Sequence, residues 1–159
     1  MATLHLLCGK IASGKSTLAT RLSLAPNTLR LSEDLWLATL YKDQLHSVSD
    51  YVRCAALLRD AIGPHVEALL TLGVDVVLDF PANTPANRQW IRGLFERSGA
   101  AHVIHVLEVP DAVCKARLRA RNAVGEHAFT ASDEQFDLIS QYFSVPTAAE
   151  GFVLCAGES

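Results

Sequence analysis

Apolar residues fall along this chain in two rhythms, short dense runs and longer stretches at helical spacing, and the two alternate from one end to the other. Residues 3–8 form a short apolar run that stops at Gly9, and residues 15–24 then place apolar side chains on one helical face. That pattern predicts a strand, a loop and a helix. Residues 28–31 predict a second, short strand, and residues 33–44 a helix opening at Ser32, whose hydroxyl can cap the free amides. Residues 50–72 carry Val52, Ala55, Ala56, Leu58, Ile62, Val66, Leu69 and Leu70 as a helical stripe. Gly63 and Pro64 interrupt it, and a kink or break is expected there because proline lacks an amide hydrogen. Residues 74–80 are β-branched and apolar on both sides, as in a strand covered on both faces. Helices are then predicted over 85–97, 111–121 and 132–142, and strands over 102–109 and 152–155.

Strands alternating with helices imply an α/β fold: one three-layer domain, a parallel sheet of about five strands with helices on both faces, and right-handed crossovers. A length of 159 residues suits one domain and is short for two. Half the residues are hydrophobic and 19% are charged, which leaves no room for a long disordered stretch. A formal charge of -3 supplies no global basic field, so charge alone does not point to duplex nucleic acid. Cys8, Cys54, Cys114 and Cys155 are scattered without a CxxC pair, which argues against a zinc site and a disulfide framework; they are expected reduced and buried. No run approaches the roughly 18 apolar residues of a membrane span. Residues 1–8 lack the basic start and cleavage site of a signal peptide, so a cytoplasmic location is expected.

The chemistry begins at Gly9-Lys10-Ile11-Ala12-Ser13-Gly14-Lys15-Ser16, which fits GxxxxGK[ST] and lies between a predicted strand and a predicted helix, with Thr17 next in that helix. The glycines let successive amides turn inward toward phosphate oxygens, and the helix adds its positive N-terminal end. Lys15 is placed to reach the outer phosphates of a nucleoside triphosphate, expected to be ATP, and Ser16 to ligate magnesium. The plainer alternative is a glycine turn with a chance lysine and serine after it.

Three further groups gather around this loop in sequence logic. Asp79 closes the apolar strand and can stand near the magnesium; a simple loop cap is the alternative. Asp34, in Ser32-Glu33-Asp34-Leu35-Trp36, falls just after the second strand, at the sheet edge that carries the phosphate loop. Phosphoryl transfer needs an acceptor oxygen deprotonated in line with the γ-phosphate, and Asp34 is the candidate base, against an ordinary acid in a first helical turn, with Glu33 the nearest substitute. Arg117 and Arg121 share one helix face ahead of the glycine-containing segment 122–130, as in a lid over about 117–130 that neutralises transferring phosphate; a solvated basic face is the alternative.

Two classes of phosphate-loop protein fit poorly. No asparagine-lysine pair supplies the base-reading segment of a GTPase switch. Phe80 and Pro81 follow Asp79, where motor and AAA-type ATPases usually place a second acid.

The order GKIASGKST, LSEDLW, VVLDFPANTPANRQW, RLRARN and FDLISQYFSVPTAAEGF resembles the small P-loop kinases typified by the kinase domain of polynucleotide kinase, zeta toxins and chloramphenicol phosphotransferase, and within them a group of predicted kinases. It runs over nearly the whole chain. The phosphate loop is its most specific part, RLRARN and the late EGF less so, LSEDLW least. The resemblance implies that Asp34 takes the proton of a substrate hydroxyl, that Arg117 and Arg121 contact phosphates or cover adenine, and that the loop around Pro146 forms the other wall of the adenine site. The chain departs from better-known members in being short, in lacking an arginine close after Asp34 and in lacking a basic groove, which puts polynucleotide substrates in doubt. Asn83 and Arg88 are placed to line the acceptor side, with a turn residue and a helix-surface charge as the alternatives. The expectation is therefore an ATP- and magnesium-dependent phosphotransferase acting on a hydroxyl of a small molecule. The rivals are a 5'-hydroxyl nucleic-acid kinase and a nucleotide-binding regulatory module with little transfer.

His5, His102 and His105 lie on or beside strands, where a satisfied core histidine is commoner than a catalytic one. His46 and His127 fall in segments where mobility is expected. Trp36 is expected in the core rather than in an acceptor pocket.

Overall fold

Neighbouring residues of the central strands are buried on opposite faces of one sheet, which is how a two-sided apolar run becomes a three-layer fold. The computed structural model describes residues 1–125 and 131–157. Five parallel strands, β1 (Thr3–Gly9), β2 (Thr28–Ser32), β3 (Asp75–Pro81), β4 (Ala101–Leu107) and β5 (Leu154–Ala156), stand in the order β2-β3-β1-β4-β5. Leu4, Leu6, Val76, Leu78 and Ile104 share one core with Leu37, Leu58, Ile62, Val66, Ile91 and Leu94. Leu7, Val77 and Leu107 turn the other way and pack with Leu18 and Ala19. Each such fully buried aliphatic side chain is worth about 1.5–3 kcal/mol relative to exposure.

The helices are α1 (Lys15–Leu22), α2 (Glu33–Leu40), α3 (Val48–Thr71), α4 (Pro85–Ser98), α5 (Asp111–Val124) and α6 (Asp133–Ser140). The first core therefore joins α2, α3 and α4 to one face of the sheet, and the second joins α1 to the other. Ser32 caps α2 as its sequence position suggests, its hydroxyl accepting the Leu35 amide. The break expected at Gly63 and Pro64 does not occur: α3 runs unbroken over 24 residues, and its buried stripe from Cys54 to Leu70 spans the proline. The helix predicted over 33–44 ends at Leu40, where the Tyr41 amide closes the last turn on the Leu37 carbonyl and a turn over Tyr41 and Gln44 follows.

Chain crossing fixes where a ligand can sit. From β3, on one side of β1, the chain passes to β4 on the other, so the order reverses beside β1 and opens a crevice at the carboxyl ends of the strands. The loop after β1 stands there. In the β2–β3 ladder Ser32 lies opposite Asp79, which brings the start of α2 to the same edge. A third cluster of Cys114, Leu118, Ala131 and Phe136 ties α5 to α6, and Ile11, Ala12 and Val109 pack against it, so this pair of helices is seated on the phosphate loop itself.

Two sequence expectations fail in the packing. Cys8, Cys54 and Cys114 are buried free thiols, but Cys155 is exposed, because β5 is a three-residue edge strand with no layer over it. Trp36 is 38% exposed, on the outward face of α2, while Leu37 takes the inward position. Among the described residues no helix is long and apolar enough to cross a membrane.

Candidate phosphate-loop site

The turn between β1 and α1 takes its shape from two backbone features. Gly14, at φ 100°, adopts a left-handed conformation that other residues adopt at a cost, and Ala12 at φ 60° pays that cost, of order 1–2 kcal/mol. Gly9 has no room for a side chain: an added Cβ would lie 2.4 Å from Ser13 Oγ and 3.2 Å from Leu107 Cβ. The loop is held from outside as well, since the Gly9 amide donates to Asn83 Oδ1 at 3.0 Å. Unlike α2, α3, α4 and α6, α1 begins without a side-chain cap or a first-turn acid, so its leading amides face the loop uncompensated.

Lys15 folds back into this turn. Its Nζ donates to the Gly9 carbonyl at 2.6 Å and the Lys10 carbonyl at 2.8 Å. Burial lowers its pKa, and Asp79, Cys8 and Asp34 pull it back up, so both acids singled out from sequence lie within electrostatic reach of the ammonium. Ser13 Oγ, in a residue 1% exposed, has no hydrogen-bond partner. Ser16 and Thr17 are exposed at the start of α1.

Asp79 stands 3.4 Å from the Ser16 hydroxyl, which donates to its Oδ2. The same oxygen accepts from Arg30 Nη2 at 2.7 Å, and Arg30 Nη1 donates to Thr20 Oγ1 at 2.9 Å. Sequence reasoning missed Arg30. The available signal was a lone arginine between Leu29 and Leu31 in a short strand, a position that demands a partner once the strand is packed.

The two acids of α2 part company. Glu33 is 2% exposed and its carboxylate accepts from the Tyr51 hydroxyl of α3. Burial raises its pKa, against the lowering effect of Tyr51. Asp34 is exposed on the adjoining position. Of the two, Asp34 is the one at the surface.

On α5, Arg117 Nη1 donates to the Ala12 carbonyl at 3.5 Å, which brings it to the loop, and Arg121 is half-buried with Nε unpaired. Lys115 and Arg119, by contrast, pair with Asp137 and Asp133 of α6. The expected lid divides accordingly: residues 117–124 complete α5, while 126–130, with His127, lie outside the described residues. Beside Lys10 is a cleft of about 310 Å³ lined by Leu107, Glu108, Val109, Pro110, Phe143 and Val145. Val145 immediately precedes Pro146, the residue around which the family resemblance implies an adenine-side wall.

Arg88 departs from its expected place. It does not line an acceptor pocket; it is wholly buried, because its guanidinium is consumed by Glu150 and by the Ala82 and Ser144 carbonyls. Asn83 likewise spends its side chain on the Gly9 amide. His5 and His105 bond each other at 3.1 Å and His102 Nε2 accepts the Val153 amide at 3.1 Å, as core histidines should.

Comparison with known proteins bears on the family and the fold. The model of the family described as AAA domain matches residues 4–146. No curated protein matches the sequence. Among solved structures, a candidate kinase from Chloroflexus aurantiacus J-10-fl is similar at TM-score 0.77 and 18% identity, covering 98% of this chain and 84% of that one. The Pnkp1/Rnl/Hen1 RNA repair complex matches at TM-score 0.60 and 19% identity, over 91% of this chain and 48% of that one. APS kinase CysC of Mycobacterium tuberculosis, solved with AMPPNP and APS, matches at TM-score 0.55 and 18% identity, over 91% and 83%. Although Phe80 stands where AAA-type ATPases usually carry a second acid, the chain belongs to the AAA domain family and has its P-loop kinase-like fold.

Proposed function

We propose that this protein is an ATP-dependent phosphotransferase that moves the γ-phosphate to a hydroxyl of a small molecule. The observation that carries the reading is the Lys15 ammonium, drawn into the turn over an uncapped helix start, where its hydrogen bonds go to two backbone carbonyls of the loop. A cation and a set of inward amides so arranged favour a polyanion at that point. The unpartnered Ser13 hydroxyl inside the loop supports the same ligand. So does the fold shared with an APS kinase solved with AMPPNP.

The residues at the end of β3 suit magnesium. That ion takes one or two carboxylates along with phosphate oxygens and water, and the Ser16 hydroxyl and Asp79 carboxylate lie side by side. When bound, magnesium neutralises phosphate charge. The chain's own residues do the rest. Lys15, Arg117 and Arg121 balance the charge that spreads over the transferring group, the loop of residues 9–16 holds the phosphates through the amides that Asn83 and the Lys10 carbonyl do not take, with the side chains of Lys10 and Thr17 at either end of the turn, and α5 and α6 keep water from the loop. The acceptor oxygen bonds to the γ-phosphorus, the bond to the β-phosphate oxygen breaks, and Asp34 takes the hydroxyl proton. The exposed position of Asp34, within electrostatic reach of Lys15, supports that role over Glu33, which is buried. A net charge of -3 favours a small acceptor over a polynucleotide.

The test is transfer from γ-labelled ATP to a panel of small alcohols and 5'-hydroxyl oligonucleotides, with wild type and Asp34→Asn. The variant should bind magnesium-ATP within about threefold of wild type and transfer at least about 100-fold more slowly. Normal transfer by the variant moves the base elsewhere. Loss of ATP binding makes Asp34 a magnesium-shell or structural residue. Binding without label transfer to any acceptor favours the regulatory module instead.

A further inference from the structure

Arg88 is the largest wholly buried side chain among the described residues. A buried guanidinium is tolerated when its donors are spent, and what they are spent on shows what it holds together. Nε donates to Glu150 Oε1 at 2.8 Å and Nη2 to Glu150 Oε2 at 3.3 Å, a two-point fork. Nη1 donates to the Ala82 carbonyl at 2.9 Å and to the Ser144 carbonyl at 2.7 Å. Glu150 Oε2 also accepts the Thr147 amide at 2.8 Å. One side chain of α4 thus ties the exit of β3 to the stretch 144–150.

Next to it, Asn83 makes a second tie. Its Oδ1 accepts the Gly9 amide at 3.0 Å and its backbone carbonyl accepts the Ser144 amide at 2.8 Å. The two residues on either side of Ser144, Phe143 and Val145, are those that wall the cleft beside Lys10. The wall has little regular structure of its own, a single 3-10 turn at Ala148–Glu150. Its distance from the phosphate loop therefore depends on Arg88, Glu150 and Asn83. A buried ion pair adds little net stability compared with an apolar pair of the same volume, so the consequence of this one is geometric.

We propose that Arg88, Glu150 and Asn83 form a positioning unit that sets the spacing between the phosphate loop and the Phe143–Val145 wall, so that a nucleotide is gripped at its phosphates and its base at once. This rests on the reading of loop and cleft as a nucleotide site. None of the three touches the reacting atoms. A ligand that spans both ends feels the unit; a ligand confined to the loop does not feel the ion pair, although it does feel Asn83, which holds Gly9.

The experiment compares magnesium-ATP with magnesium tripolyphosphate by calorimetric titration, alongside the unfolding temperature without ligand. Glu150→Gln should bind ATP at least about 10-fold more weakly and tripolyphosphate within about twofold of wild type, whereas Asn83→Ala should weaken both. Should Glu150→Gln fail to fold, the paired variant Arg88→Met with Glu150→Leu removes both charges and should give the same split. Unchanged ATP affinity in a folded variant, or an equal loss for both ligands in Glu150→Gln, overturns the proposal. A wild-type protein that binds neither ligand overturns the nucleotide reading itself, and needs no variant to show it.

Discussion

Gly9→Ala is the smallest change that tests whether the phosphate loop is built as tightly as its geometry indicates. Gly9 is not among the residues at positive φ, so the substitution meets no conformational penalty and its whole effect is contact. The new methyl would lie 2.4 Å from Ser13 Oγ, 3.2 Å from Leu107 Cβ and 3.3 Å from the Leu107 carbonyl. Rotation about χ1 can swing the serine hydroxyl away, and because that hydroxyl has no partner the movement breaks no bond. Leu107 ends β4 and cannot rotate its Cβ or carbonyl, so the loop must shift by a few tenths of an ångström. Overpacking of this kind costs about 1–3 kcal/mol. The shift also moves the Gly9 carbonyl that receives Lys15 and the amide that reaches Asn83, so ATP affinity should fall by about 10-fold, or 1.4 kcal/mol. Adding Ser13→Ala removes one clash of the three, and the double variant should recover about 0.5–1 kcal/mol, a coupling read from a double-mutant cycle in urea. If Gly9→Ala unfolds within about 0.5 kcal/mol of wild type and binds ATP normally, the close approach of loop and β4 is not a constraint and the reasoning fails.

Two further outcomes follow from the packing and the histidines. Phe136→Ala should cost about 3–5 kcal/mol, since this buried ring joins α5, α6 and the loop residues Ile11 and Ala12, and hydrogen exchange should then show α6 losing protection before the sheet. A cost under about 1 kcal/mol would mean that the α5–α6 pair is not seated on the loop. Burial lowers the folded-state pKa of His5, His102 and His105 below 6.5, so the unfolded chain takes up protons first on acidification. Stability should be full above about pH 6.5 and fall as the pH drops below it, and denaturation midpoints between pH 5 and 8 should show that slope flattened in His105→Gln; a midpoint that rises on acidification contradicts the assignment.

Most of the architecture is legible in the sequence because its signals are local. The two-sided apolar runs at 74–80 and 102–109 could hardly be anything but covered strands, and Gly9 to Ser16 spells its own turn. Ends and interruptions are set by distant partners and are less readable. Pro64 would break an exposed helix, but the stripe from Cys54 to Leu70 is buried in the main core on both sides of the proline and carries the helix through. Arg88 looks like a surface charge on any helical wheel; nothing within ten residues announces that Glu150 will meet it from 62 positions away. Arg30 pairs across strands with Asp79, and Glu33 turns inward because Tyr51 waits on α3, both matters of tertiary register. Asp34 and Lys15, by contrast, are fixed by their places after β2 and in the loop, and electrostatic reach between them follows from the parallel sheet.

The central claim is that the turn around Lys15 exists to hold the phosphates of a nucleotide. Calorimetric titration of magnesium-ATP into wild type and Lys15→Ala tests it directly. The account predicts saturable one-to-one binding by wild type and a loss of at least about 100-fold in the variant, with an unchanged urea midpoint, since the lysine bonds loop carbonyls and no core residue. Equal affinity in the two proteins would contradict it.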